Sequence, residues 1–133
     1  KLKMYDSNVE NNTEEKIKTQ YRTAADGKTY GIISVTSKTD IVPLTSCIYH
    51  EFVKGIALTV TFAGMFAGHQ ANKTLMGVRE RLCKDNKMDF LVQMYKNFQK
   101  GFKLGDSIEI YHFRLLPVPY DAKCLEDFKD ATG

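Results

Sequence analysis

The chain has 133 residues, which fits one domain, because two domains would each be too small to bury a good core. Hydrophobic residues make up 43% and charged residues 26% of it, a balance that argues against disorder, collagen and coiled coils. The net charge of +3 does not demand a polyanionic partner, and no apolar run approaches the roughly 20 residues that a membrane-spanning helix needs.

The start of the chain is polar and rich in asparagine. Residues 1–13 cannot repay the entropy cost of ordering, so we predict a loose N-terminal arm before a single globular domain over residues 14–133. The first residue is Lys1 rather than Met, which we interpret as a processed or excised N-terminus. A lost leader would leave no trace, so a secreted and an intracellular location both stay open, and we expect a soluble protein.

The first strong pattern is a β-hairpin. Residues 16–23 alternate between two faces, and residues 29–36 return with β-branched and aromatic side chains. Between them, Asp26 and Gly27 supply the positive-φ positions of a tight turn. A competing interpretation is a helix that begins at Thr13 with acidic residues in its first turn, but the alternation and the turn favour the hairpin.

The middle of the chain predicts a helical turn and a strand. Pro43 is expected in an irregular or edge segment, and the four-residue spacing of Ile48 and Phe52 indicates a helical turn over residues 47–54. Residues 56–62 then alternate between large apolar and small side chains, which is typical of a strand with one strongly apolar face.

Two helices are predicted next. Leu75, Val78 and Leu82 share one face of the first, which is capped by Asn72 or Thr74. The second follows a break at residues 85–86 and ends at Gly101, and its apolar stripe consists of Phe90, Leu91, Met94, Tyr95 and Phe98.

The last clear element is a strand over residues 106–116, which residues 117–119 stop with two prolines. A short helix over residues 122–128 closes the chain. The order predicts an α+β fold, with a mainly antiparallel sheet of about four strands and the two central helices packed on one of its faces.

The charge is unevenly distributed. Residues 73–103 hold eight basic and three acidic residues, and Lys96, Lys100 and Lys103 recur at helical spacing beside aromatic residues. Such a basic helix can bind nucleic acid or an anionic membrane surface. We favour the simpler interpretation that these lysines form the solvated face of an amphipathic helix.

Catalytic and metal-binding patterns are weak. Cys47 and His50 make only half of a zinc site, and no phosphate-binding glycine loop occurs, so we predict no metal and no cofactor. Cys83, between two basic residues, is the best-placed thiol, and with His69 and His112 it gives the candidates for a small enzyme whose site the sequence does not reveal. Whether the chain is an enzyme stays undecided.

The leading hypothesis is a non-enzymatic binding module that engages a protein partner or an apolar small ligand. It rests on the absence of catalytic motifs and on an unusual quantity of aromatic and methionine surface near the joint between the apolar strand and the helices. If sheet and helices stand apart there, we expect the ligand-binding residues to be Thr59, Phe62, Met65, Phe66, Met94, Tyr95, Phe98 and Tyr111.

Overall fold

A computed structural model describes residues 17–100 and 107–120 of the chain. The strands form one sheet in the order β1-β2-β3-β5-β4, in which only β2 and β3 run parallel. The elements of the described residues are β1 (Thr19–Thr23), β2 (Thr29–Val35), α1 (Ile41–Val53), β3 (Ala57–Phe62), α2 (Met65–Asp85), β4 (Met88–Lys100) and β5 (Ser107–Pro119).

This architecture confirms the predicted α+β fold, with two helices and a mostly antiparallel sheet that has five strands rather than about four. The predicted arm over residues 1–13 and the predicted short helix over residues 122–128 lie outside the described residues. Neither of the two helices described combines the length and hydropathy that crossing a bilayer requires.

The β1–β2 hairpin is present where the alternation predicted it. Gly27 has φ of +83° and donates its N–H to the Ala24 carbonyl at 2.9 Å, while the Asp26 carboxylate accepts from the Lys28 N–H at 2.9 Å. Positive φ is therefore confined to the glycine, and the expectation that Asp26 shares it is wrong. The aspartate instead fixes the turn through its side chain.

Helix α1 begins earlier than its predicted single turn. The Asp40 side chain caps it by accepting from the Val42 N–H at 3.1 Å. Pro43 then lies in the first turn, where a backbone N–H has no helical acceptor, so the proline costs no hydrogen bond there. The prediction of an irregular or edge segment around Pro43 is therefore wrong.

The second predicted helix is wrong as well, because its residues form strand β4. This strand pairs with β5 along its whole length, from Met88 opposite Pro119 to Lys100 opposite Ser107. Side chains four residues apart, such as Phe90 and Met94, share a face both in a helix and in a strand, so their spacing does not distinguish the two. The helices in the described part of the chain are residues 41–53 and 65–85, and the latter begins ahead of both caps that we proposed for it.

Strand β5 continues through the two prolines that were expected to stop it. Leu115, opposite Leu58, is the last β5 residue paired with β3, whereas β5 stays paired with β4 as far as Pro119. Pro117 therefore has a neighbouring strand on one side only, which is where a sheet tolerates a residue without an N–H.

The core lies between the two helices and one face of the sheet. β3 points Leu58, Val60 and Phe62 into it, as its alternation predicted, and the Phe52 ring of α1 lies 5.4 Å from that of Phe90 at the start of β4. Each large side chain that is fully buried contributes about 1.5–3 kcal/mol to folding. The side chains that are almost fully buried include Ile33, Leu44, Ile48, Phe52, Leu58, Val60, Val78, Leu82 and Leu115.

The opposite face of the sheet, called the open face below, has no helix over it in the described part of the chain. The register places Tyr30 beside Ala57, and Ile32 beside Thr59, on this face. Arg114 follows opposite Thr59. The central strand thus presents small side chains between larger ones.

Two glycine substitutions test this packing in opposite directions. A Cβ at Gly31 would lie 2.7 Å from both Leu58 Cδ2 and Thr19 Cγ2, so Gly31→Ala should destabilise the fold by about 1–3 kcal/mol. A Cβ at Gly77, inside α2, would come no closer than 3.6 Å to Thr45, so Gly77→Ala should stabilise the fold by about 0.5–1 kcal/mol. Urea unfolding of both variants measures the changes, and a Gly31→Ala chain as stable as the parent would contradict the described register.

Candidate functional site

A cleft of about 840 Å³ lies on the helix side of the sheet, between the start of α2 and the β4–β5 hairpin. We call it the apolar cleft. Its lining combines three aromatic rings and one thioether with an imidazole, three other polar side chains and two glycines, and it includes Phe62, Met65, His69, Tyr111 and Phe113.

The cleft exists because two helices do not cover five strands. α2 packs over the centre of the sheet, whereas the helix-side residues of β4 that follow Phe90 stay in solvent. Met94 is 71% and Phe98 66% exposed on β4, and Met65 is 81% and Phe66 73% exposed at the start of α2. Four large apolar side chains thus remain uncovered around the cleft.

The floor of the cleft is a packed aromatic cluster. The Phe62 ring stacks on Tyr111 at 5.6 Å and meets the edge of Phe113 at 5.0 Å. A Cβ at Gly68 would come 3.1 Å from the Phe62 ring, so the glycine lets the first turns of α2 approach this cluster closely. These contacts hold the floor in one geometry.

An ion pair forms part of the rim. Lys96 Nζ lies 2.6 Å from Glu109 Oε1, and the Tyr111 hydroxyl donates to Glu109 Oε2 at 2.8 Å. The lysine first, and then the tyrosine hydroxyl, lower the pKa of Glu109 below its usual value. The same hydrogen bond to Glu109, more than desolvation, raises the pKa of Tyr111. The Glu109 carboxylate therefore links the Lys96 ammonium group of β4 to the Tyr111 hydroxyl at the floor of the cleft.

Six of the eight predicted ligand-binding residues lie on the helix side of the sheet, and three of these six line the apolar cleft. Phe62, Met65 and Tyr111 line the cleft. Phe66 follows Met65 at the exposed start of α2, and Met94 and Phe98 lie opposite Phe113 and Glu109 in the β4–β5 ladder.

Thr59 and Tyr95 are placed elsewhere. Thr59 lies in the open face, and Tyr95 lies opposite His112 there, with the two rings stacked at 4.6 Å. The prediction did not select Phe113 as a ligand-binding residue, although the alternation of the last strand already put it on the same face as Tyr111.

The predicted basic patch does not form a helix face. Lys96 and Lys100 lie on strand β4, and Lys103 lies outside the described residues. Because Lys96 is paired with Glu109, its charge is partly neutralised within the fold.

The three catalytic candidates lie apart. His69 lines the apolar cleft, Cys83 lies near the other end of α2, and His112 is on the open face. Burial raises the pKa of the Cys83 thiol, and the nearby carboxylate of Asp89 adds to the effect, so the environment opposes the reactive thiolate. Within residues 17–100 and 107–120, no group of three or more metal-ligating side chains converges.

Comparison with known proteins adds no family: no protein family model matches the chain, and no curated protein is significantly similar to it in sequence.

The Glu109 ion pair gives a prediction about pH. Because the Glu109 pKa is lowered in the fold, the stability that this contributes is present above the unfolded-state pKa and is lost as the pH falls through the lowered one. Lys96→Met should raise the Glu109 pKa towards its usual value, as measured by carboxyl ¹³C NMR titration. Lys84→Met, at the end of α2, is the control and should leave it unchanged. An identical Glu109 titration in the Lys96→Met and parent chains would contradict the ion pair.

Proposed function

We propose that the chain is a non-enzymatic binding module that engages an apolar segment of a protein partner at the apolar cleft. The observation that carries this proposal is the set of four large apolar side chains, each about two-thirds exposed or more, that surround an aromatic floor. An uncovered apolar group of this kind beside a concave surface is typical of an interaction site.

The residue types fit a protein interface. Methionine and phenylalanine are enriched in the cores of interfaces, and the flexible thioethers of Met65 and Met94 adapt to the shape of what they cover. Burying one such side chain releases about 1.5–3 kcal/mol from its apolar surface, part of which is spent on ordering the partner.

The openness of the cleft favours a protein segment over an apolar small molecule. Pockets for small molecules bury most of the ligand surface, whereas here the flanking Met65 and Phe98 stand largely in solvent. The polar rim, with Lys96, Glu109 and His69, supplies hydrogen-bonding groups around an apolar centre, as interfaces have.

The two other functional classes have less support. An enzyme would need convergent reactive groups, and the candidates in the described residues are on different elements and faces. Electrostatic binding through residues 73–103 has less support because two of its cations, Lys96 and Arg79, are each paired with a carboxylate, and because its described basic residues are divided between α2 and β4 instead of sharing one helix face.

Matched charge insertions test the proposal. Met65→Glu places a carboxylate in the lining of the apolar cleft, and Met94→Glu places one on the exposed β4 surface beside it. Val42→Glu, the control, places one on α1 at a side chain that is 75% exposed. We expect a protein of the natural source that binds the immobilised parent chain and the Val42→Glu variant, with affinity at least about tenfold lower for both cleft variants.

Binding that all three variants retain, or that only Val42→Glu abolishes, would contradict the proposal, provided that thermal unfolding shows every variant folded. Intact masses of the chain from its natural source, measured under native and denaturing conditions, separate the two kinds of ligand. If a mass excess appears only under native conditions and Met94→Glu removes it, the ligand of the cleft is an apolar small molecule and not a segment of a protein.

A further inference from the structure

A second depression, of about 700 Å³, lies on the open face and is independent of the apolar cleft. It follows the central strand, where Ala57 and Thr59 are small. Tyr30 on one side and Leu116 on the other are larger and form its walls. We call it the open-face groove.

One end of the groove is closed by the β1–β2 turn, which brings Lys28 to the lining, and Arg114 enters from β5. Asp26 is the one carboxylate among the described lining residues, and it already accepts the backbone N–H of Lys28. Arg22, opposite Tyr30 in the β1–β2 register, adds a third cation on this face.

The lining carries more positive than negative charge. Among the described residues, Lys54, Arg79 and Lys96 form salt bridges with carboxylates, whereas Lys28 and Arg114, like most of the other described basic side chains, form none. The two cations of the lining therefore face a single carboxylate, that of Asp26.

The Arg114 guanidinium lies over an aromatic ring that is itself held in place by a stacked neighbour. Its guanidinium carbon lies 5.5 Å from the centre of the Tyr95 ring, which stacks on His112. The imidazole is in turn held from both sides, by Thr61 at 3.2 Å from Nδ1 and by Asn97 at 3.0 Å from Nε2. In the neutral ring, Nε2 donates to the Asn97 carbonyl oxygen and Nδ1 accepts from the Thr61 hydroxyl. This arrangement limits the positions that the arginine adopts.

We propose that the open-face groove binds a small organic anion with an apolar body. The acid group of such a ligand pairs with Arg114 at one end of the groove, and the apolar body covers Ala57 and Leu116 beside the Tyr30 ring, with Lys28 adding positive charge at the other end. Charge complementarity selects this class, because the lining holds two cations against one carboxylate, and the volume is that of an ordinary small-molecule site.

Two fluorescent dyes with the same aromatic body separate the charge from the apolar contact. 8-Anilinonaphthalene-1-sulfonate carries an anionic group that N-phenyl-1-naphthylamine lacks. The parent chain should bind the sulfonate on the order of tenfold more tightly than the neutral dye, because one charged hydrogen bond is worth that factor or more.

Charge-removing variants then locate the site. Arg114→Gln should weaken sulfonate binding about five- to tenfold and leave the neutral dye unchanged, since it removes the charge-assisted contact, whereas Lys28→Gln, at the other end of the groove, should weaken sulfonate binding less. Lys84→Gln, on α2 at the other side of the sheet, is the control and should change neither. Ala57→Leu, which fills the groove, should weaken both dyes, and Arg114→Gln serves alone if that variant does not fold.

Three outcomes would overturn the proposal: no sulfonate binding, equal affinity of the parent chain for both dyes, or sulfonate binding that Arg114→Gln leaves intact. If Met65→Glu, and not Arg114→Gln, removes sulfonate binding, the dye binds in the apolar cleft. That outcome would leave the protein-binding proposal standing, so the two proposals fail separately.

Discussion

The two unlike faces of strand β3 are the constraint on which the rest of the structure depends. One face carries Leu58, Val60 and Phe62, which are buried under the helices, and the other carries the small residues Ala57 and Thr59. The apolar face holds both helices on one side of the sheet, and the small face leaves room for a groove on the other. Since two helices cannot cover five strands, the hairpin at the edge keeps an uncovered apolar surface. Both proposed sites therefore follow from this one strand and the helices that it holds.

Much of the fold could be predicted from the sequence because most strands have an unambiguous period of two. The β1–β2 hairpin, β3 and most of β5 were predicted. Strand β4 was not predicted, because apolar residues four apart fit both the helical period and the strand period. Only the pairing of β4 with β5 distinguishes a strand from a helix there. The predictions at two prolines were wrong for a related reason. Pro43 in α1 and Pro117 in β5 lie where a backbone N–H would have no hydrogen-bonding partner, and this depends on neighbours that the sequence does not reveal.

The error in β4 carried over to the candidate site. A helix puts Met94 and Tyr95 on one stripe, whereas successive residues of a strand point to opposite faces. Met94 accordingly lies beside the apolar cleft, and Tyr95 supports Arg114 on the other side of the sheet. Phe62 and Met65 both line the cleft because they are close in sequence, at the junction between strand and helix, where local order is enough to place them side by side. The sequence did not predict that Lys28 and Arg114 line the same groove, since the two residues are 86 positions apart and only the sheet brings both to it.

Strand β4 has a further consequence through its backbone. It is the last strand of the sheet order, and its 13 residues extend over roughly 43 Å at the usual strand rise. Along its outer side, the alternate peptide groups that β5 does not use face away from the sheet. A polypeptide added there would form main-chain hydrogen bonds in register while its side chains reached Met94 and Phe98. The affinity for such a polypeptide would then come from its backbone hydrogen bonds, and the specificity from contacts with the Met94 thioether and the Phe98 ring. Affinity and specificity could therefore change separately as the sequence evolves.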